Sequence, residues 1–118
     1  MIDFPNRGEI WLVDWSPSRG SEQKGIRPSL ILQSDKGNSN KNYPNTIALT
    51  ISTKGKNIPF HIKLIPDEIN GLKEISYIKC EQILTISKKR LVRKVGTIRK
   101  DILNEIEKSV KLVLDFSS

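Results

Sequence analysis

A stretch of helical periodicity at the C-terminal end most constrains the fold. Between Lys100 and Phe116 the apolar residues recur every three or four positions: Ile102, Leu103, Ile106, Val110, Val113 and Leu114. This spacing is typical of an amphipathic helix that packs on a core. The segments before it are short and strand-like. One helix after many strands predicts an α+β, mainly β fold: a small, strongly bent antiparallel sheet or barrel with a C-terminal helix.

Turn-forming residues delimit the strands. We predict strands over Gly8–Trp15, Ser29–Gln33, Asn45–Thr53, Pro59–Ile65, Ser76–Cys80, Glu81–Ile86 and Val95–Ile98. A bulge or tight bend is expected between Cys80 and Glu81. The residues of Asp35–Tyr43 favour turns throughout, so we expect a mobile loop there. Lys88–Val92 is predicted to form a short helix.

Length and charge bound the class of protein. The chain of 118 residues is expected to form one domain, residues 1–118. The single Cys80 excludes an intrachain disulfide. No apolar run has signal-peptide or membrane-spanning length, so we expect a cytoplasmic protein that does not contact a membrane. The net charge of +7 favours a polyanionic partner, with a basic protein lacking such a partner as the alternative.

Several kinds of chemistry have little support. One His, one Cys and scattered carboxylates give no ligand spacing for zinc or iron, so no metal and no cofactor are expected. Glycine-rich phosphate loops are absent. His61 is the only imidazole that could act as a general base, but its place in an alternating strand favours a structural role. Cys80 is expected to be a buried structural thiol.

The polar loop that begins at Gly20 leads directly into a strand. Gly20 and Gly25 bracket it, and glycine allows a backbone to approach a ligand closely. Pro28 biases Arg27 to an extended conformation, which places the guanidinium where the loop meets the strand. This position favours a functional site, and a solvated surface Arg is the alternative.

Motifs along nearly the whole chain carry a family resemblance. They are Arg7-Gly8-Glu9-Ile10-Trp11, Asp14, Ser16-Pro17, Gly20-Ser21-Glu22-Gln23, Gly25, Arg27-Pro28, Gln33, Asp35, Pro44–Thr53, Ile58-Pro59 with His61, and Glu81-Gln82-Ile83 with Thr85-Ile86. Together these motifs resemble the MazF/PemK toxin endoribonucleases. Leu84 departs from the pattern, because the family usually has Arg there.

The resemblance implies a fold, an activity and partners. The fold would be an SH3-like barrel of the CcdB/PemK type in a homodimer. The activity would be sequence-specific, metal-independent cleavage of single-stranded mRNA, in which a ribose 2′-hydroxyl attacks the adjacent phosphodiester. The products would be 2′,3′-cyclic phosphate and 5′-hydroxyl ends. The resemblance also implies a toxin–antitoxin pair, with a cognate MazE-like antitoxin whose flexible acidic tail binds the toxin.

The resemblance further assigns roles to residues. The essential Arg of the family corresponds to Arg27. Its essential Thr or Ser corresponds to Ser52, or to Thr53 if the register slips by one residue and the opposite strand face is used. RNA-binding positions correspond to a set of six residues: Ser21, Glu22, Gln23, Lys24, Ile58 and Gln82.

Two alternative functions stay open. The first is a CcdB-like DNA gyrase poison; those relatives resemble each other in using a C-terminal Trp, whereas this chain ends Phe116-Ser117-Ser118. The second is a non-catalytic RNA-binding protein, which would follow if Ser52 did not face Arg27.

Overall fold

A computed structural model describes residues 4–16 and 25–116. Its strands are β1 (Glu9–Asp14), β2 (Ile26–Ile31), β3 (Asn45–Ser52), β4 (His61–Leu64), β5 (Ser76–Ser87) and β6 (Leu91–Thr97). Its helices are α1 (Asp35–Ser39), α2 (Lys100–Leu114) and a single 3-10 turn (Lys88–Arg90). Within these ranges, no helix has the length and apolar character needed to cross a membrane.

The six strands form one antiparallel sheet in the order β4-β5-β3-β2-β1-β6. This confirms the mainly β class with a C-terminal helix. Over the described residues the sheet is not closed, because β4 and β6 lie at its two edges. Of the two predicted forms, a bent sheet and a barrel, the structure has the open sheet.

The predicted bulge in the fifth strand is confirmed. β5 pairs with β3 on both sides of the bulge: Leu49 pairs with Ile83, whereas the next residue, Thr50, pairs with Lys79. Residues 80–82 therefore have no opposite partners on β3. Such an insertion bends a strand and changes the direction of its side chains.

Two predicted boundaries were wrong. β2 begins at Ile26 instead of Ser29, and β6 already begins at Leu91, which shortens the helix expected over Lys88–Val92 to a single 3-10 turn. Each strand extends to these residues because Ile26 and Leu91 both pair with β1.

The expectation of a mobile run of turns over Asp35–Tyr43 was also wrong. The segment contains α1, whose N-terminus Ser34 caps through its side chain. Asn38 is buried, donates to the carbonyl of Gln33 and accepts from the Thr46 hydroxyl. Lys88 Nζ donates to the carbonyls of Gly37, Asn40 and Tyr43. Contacts with residues distant in sequence thus override the local turn preference.

Apolar clusters cover both faces of the sheet. α2 packs on the first cluster, whose buried members are Ile10, Leu30, Leu49, Ile51, Leu64, Ile78, Cys80 and Ile106. The second cluster lies on the opposite face: Val13, Ile31, Ala48 and Ile86, with Trp11, Trp15 and Leu91 against it. Burial raises the pKa of the Cys80 thiol, which fits the predicted structural role.

Glu9 is a buried carboxylate at the start of β1. It accepts hydrogen bonds from the Asn6 amide at 2.8 Å and from Trp11 Nε1 at 2.9 Å, and it pairs with Lys94 Nζ at 3.0 Å. Burial alone would raise the pKa of Glu9, but the bonds from Trp11, Asn6 and Lys94 together lower it. The charged form of Glu9 therefore stabilises the folded state.

We expect Glu9→Gln to lower the free energy of unfolding at pH 7 by about 1–3 kcal/mol, since charge-assisted hydrogen bonds are lost. Because the pKa of Glu9 is lower in the folded state, its contribution is present above the ordinary value of 4.5 and disappears as the pH falls further. Urea unfolding of both proteins at pH 7 and pH 3.5 measures this. Glu105→Gln, at an exposed position of α2, is the control. An equal deficit at both pH values would contradict a role for the charge.

Candidate active site at one end of the central strands

The register of the two central strands relates the positions of the two predicted catalytic residues. β2 and β3 pair Ser29 with Thr50 and Leu30 with Leu49. Arg27 of β2 and Ser52 of β3 each lie two residues beyond the Ser29–Thr50 pair, and side chains two apart in a strand share a face. Directly opposite residues of an antiparallel pair share a face, with Cβ atoms about 5 Å apart. The backbone thus directs the guanidinium and the hydroxyl to the same side of the sheet.

That side is the one opposite α2. Residues two apart in a strand share a face, so Arg27 and Ser29 point the same way, as do Thr50 and Ser52. Ile31 continues the face of Arg27 and Ser29 and belongs to the second cluster, whereas Leu30 points the other way, into the cluster under α2. The site therefore continues the second apolar cluster, and its polar part begins where Ser29 and Thr50 replace apolar side chains.

Thr53, the alternative to Ser52, lies in a different environment. β3 ends at Ser52, and Thr53 is the first exposed residue after it. Strand alternation continued one residue would direct Thr53 to the side of α2. The geometry therefore favours Ser52 as the partner of Arg27.

The Ser52 hydroxyl is oriented by the chain that follows it. The Lys54 amide donates to Ser52 Oγ at 3.1 Å. An oxygen that already accepts keeps its own O–H for donation to another group. Ser52 is half-buried, so this donor is accessible at the surface of the site.

Gln82 lies at the bulge of β5, beside the same pair of strands. The buried Thr50 hydroxyl donates to Gln82 Oε1. Because the amide accepts through its oxygen, its Nε2 end can only donate. Gln82, a predicted RNA-binding residue, therefore contacts Thr50, which lies two residues before Ser52.

The other predicted RNA-binding residues divide into two groups. Ile58 is 39% exposed and lies in the segment between β3 and β4, where its carbonyl accepts from the His61 amide. Ser21, Glu22, Gln23 and Lys24 lie outside the described residues.

His61 has hydrogen-bond partners on both ring nitrogens. The Lys56 amide donates to Nδ1 at 3.0 Å, and Nε2 lies 2.9 Å from Glu81 Oε2. Only 6% of the side chain is exposed. These contacts give the imidazole the structural role that the sequence favours and occupy the lone pair a general base would need.

Sequence reasoning missed two parts of this site. The Lys54 amide is a backbone donor. Every residue except proline has such a donor, so the residue type does not indicate its role. Tyr77 is the register partner of Ser52 on β5, and its ring contacts Gly55 closely. A glycine between two lysines is typical of a turn, and the sequence does not indicate that Gly55 also packs closely on an aromatic ring.

Metal ligands do not cluster near these residues. Over residues 4–16 and 25–116, no group of three or more His, Cys, Asp or Glu side chains lies together in a way that could hold a metal ion.

Comparison with known proteins assigns this arrangement to a family. Residues 6–114 match the model of the PemK-like, MazF-like toxins of type II toxin–antitoxin systems. The chain belongs to this family. Endoribonuclease MazF of Staphylococcus epidermidis is 35% identical over 115 residues, covering 95% of this chain and 92% of the relative. Endoribonuclease EndoA of Bacillus subtilis (strain 168) is 32% identical over 108 residues, covering 92% of each.

Solved structures share the fold of this toxin. MazF of Deinococcus radiodurans superposes with a TM-score of 0.80 at 21% identity, over 98% of this chain and 100% of that one. A mycobacterial endoribonuclease in complex with its cognate antitoxin gives 0.79 at 21% identity, over 97% and 98%. With full-length relatives that are endoribonucleases, the chain is a MazF-like endoribonuclease toxin. The recognised family resemblance is confirmed, and the gyrase-poison alternative gains no support from these relatives.

Proposed function

We propose that this toxin, as a single domain over residues 1–118, cleaves single-stranded mRNA in the cytoplasm without a metal ion, using Arg27 and Ser52. The observation that carries the proposal is the β2–β3 register, which directs both side chains to one face. The orientation of the Ser52 hydroxyl by the Lys54 amide supports it.

The reaction needs charge stabilisation more than a strong base. The ribose 2′-oxygen forms a bond to phosphorus, the bond to the 5′-oxygen breaks, and protons leave the 2′-hydroxyl and reach the 5′-oxygen by exchange with water. Negative charge gathers on the non-bridging oxygens meanwhile. The Arg27 guanidinium donates two parallel hydrogen bonds to such oxygens, and Ser52 donates one more.

Positioning supplies much of the remaining rate. The nucleophile is part of the substrate. Binding that holds the 2′-oxygen, the phosphorus and the 5′-oxygen in line therefore increases the reaction rate. Arg27 does not serve as the base in this scheme, because a guanidinium has only N–H donors and no acceptor for a proton. We assign recognition of the bases to Ser21, Glu22, Gln23, Lys24, Ile58 and Gln82. Unpaired bases can be turned into such a site, whereas paired bases cannot.

The test of the function is cleavage of a defined transcript by the pure protein in excess EDTA. We expect fragments with 2′,3′-cyclic phosphate and 5′-hydroxyl ends, cut in a hairpin loop and not in its stem. Polynucleotide kinase should label the new 5′ ends without prior dephosphorylation. Cleavage only after addition of Mg²⁺ would contradict metal independence. Binding without cleavage would favour the non-catalytic RNA-binding alternative.

Substitutions of the two proposed catalytic residues should reduce kcat by different amounts. Arg27→Ala should reduce kcat by about a hundredfold or more, since charge stabilisation in the transition state is lost. Arg27→Lys should not restore it, because an ammonium lacks the planar fork. Ser52→Ala should cause a smaller but clear loss, and Thr53→Ala is its matched control with nearly normal kcat. Single-turnover cleavage of one oligonucleotide measures all four.

Two results would overturn these assignments. Full activity of Arg27→Ala, with the fold confirmed by circular dichroism, would remove Arg27 from the mechanism. An inactive Thr53→Ala beside an active Ser52→Ala would place the hydroxyl on the other strand face.

We further propose that the toxin is a homodimer that binds a cognate MazE-like antitoxin. Structures of a mycobacterial endoribonuclease with its antitoxin and of MazE–MazF of D. radiodurans support this partnership. A flexible acidic tail suits a protein of net charge +7, because it places carboxylates where RNA phosphates would bind.

A synthetic antitoxin tail should therefore inhibit cleavage competitively. Raising the RNA concentration should reverse inhibition, and added salt should weaken RNA and tail binding in parallel, since both depend on the same cations. Initial rates at several RNA and peptide concentrations measure this. A stable complex of toxin, tail and uncleaved RNA in a gel shift would contradict competition.

A further inference from the structure

The segment between β3 and β4, residues 53–60, is tied to its surroundings close to the proposed catalytic hydroxyl; we call it the β3–β4 loop. At its start, the Lys54 amide donates to Ser52 Oγ at 3.1 Å. Two residues later, the Lys56 amide donates to His61 Nδ1 at 3.0 Å. Towards its end, the His61 amide donates to the Ile58 carbonyl at 3.1 Å.

The ring of His61 is itself held in one orientation. Since Nδ1 accepts from an amide, it carries no proton, and the proton of the neutral imidazole is on Nε2. Nε2 donates to Glu81 Oε2 at 2.9 Å. The His61 side chain is 6% exposed and that of Glu81 is 35% exposed, so the hydrogen-bonded ring is shielded from water at its loop side. A fixed tautomer and a fixed ring give the Lys56 amide a single acceptor direction.

Gly55, between the two tied amides, packs against the Tyr77 ring. A Cβ at this position would overlap Tyr77 Cγ, Cδ1 and Cβ, so a larger residue would push the loop away. Tyr77 is the register partner of Ser52 on β5. The loop is therefore clamped onto the ring that neighbours the proposed catalytic residue.

These contacts are too close in sequence to act independently. Only Gly55 separates Lys54 from Lys56, so fixing the Lys56 amide and the Gly55 backbone leaves the Lys54 amide few orientations. Loss of the acceptor at His61 would release these dihedral angles, because the freed residues regain conformational entropy.

We propose that Glu81 and His61 are positioning residues that orient the Ser52 hydroxyl through the β3–β4 loop. Glu81 fixes the imidazole, the imidazole fixes the Lys56 amide, and the clamped loop directs the Lys54 amide at Ser52 Oγ. The inference rests on the proposed role of Ser52.

The test uses two substitutions of His61 that differ in whether a hydrogen-bond acceptor remains at the position of Nδ1. In His61→Asn, the amide oxygen takes the place of Nδ1 and still accepts from Lys56. In His61→Leu, no acceptor is left. We expect His61→Leu to lose about tenfold or more in kcat with little change in KM, because a displaced hydroxyl harms the transition state more than binding. His61→Asn should recover most of the loss.

Further variants separate positioning from charge. Glu81→Gln keeps an acceptor for Nε2 and should retain most of kcat, whereas Glu81→Leu should lose part of it. Lys63→Gln, at an exposed position of the same strand as His61, is the matched control and should leave kcat unchanged.

A second measurement does not depend on activity. Amide hydrogen exchange at Lys54 should be slow in the wild type and in His61→Asn, and at least tenfold faster in His61→Leu, with the exchange of β5 amides unchanged. The imidazole should show the Nε2-protonated tautomer in a two-bond ¹⁵N–¹H spectrum. Unchanged exchange at Lys54 in His61→Leu would overturn the coupling through the loop even if the proposed function failed.

A double substitution distinguishes this proposal from the proposed function. If His61 acts through Ser52, His61→Leu should cause no further loss of kcat in a Ser52→Ala background. A full additional loss there would mean that His61 acts on the RNA directly and would overturn the proposal. A fully active Ser52→Ala, by contrast, would refute the role of Ser52 itself.

Discussion

The hydrogen-bonded register between β2 and β3 is the constraint on which the site depends. Arg27 is the second residue of β2, and Ser52 is the last residue of β3. Their common face follows from Leu30 and Leu49, which are fully buried opposite each other under α2. A slip of one residue would bring these leucines out of the core and turn Ser52 away from Arg27. The apolar core and the site are therefore specified by the same pairing.

The β5 bulge and the β3–β4 loop complete the site from the other side. The bulge allows one continuous strand to present Tyr77 opposite Ser52 and Gln82 beside Thr50. The loop then crosses the Tyr77 ring and returns into β4 at His61. Strand ends and loops supply the polar groups of the site, and the paired strands hold these groups in position, as is common in binding sites.

Much of this organisation could be predicted from the sequence, for different physical reasons. The helix α2 follows from the spacing of apolar residues. The bulge in β5 follows from a change in the alternation of apolar and polar residues along the strand. The choice of Arg27 and Ser52 as site residues comes only from the family resemblance, since strand register depends on contacts between segments distant in sequence. The helix α1 was missed because its stability comes from Asn38, Thr46 and Lys88, and local residue preferences contain no information on those partners. Backbone donors such as the Lys54 amide carry no sequence signal at all.

The internal use of Lys88 and Arg90 changes how the basic character of this protein should be understood. Lys88 Nζ is directed at three carbonyl oxygens, and Arg90 Nη1 donates to the carbonyls of Asp14 and Ser16. Arg7 pairs with Glu107 at 2.7 Å. Cations committed in this way hold chain segments together and have fewer donors left for phosphates. The number of counterions released when RNA binds is therefore set by which side chains reach the phosphates, and the net charge of the sequence does not give that number.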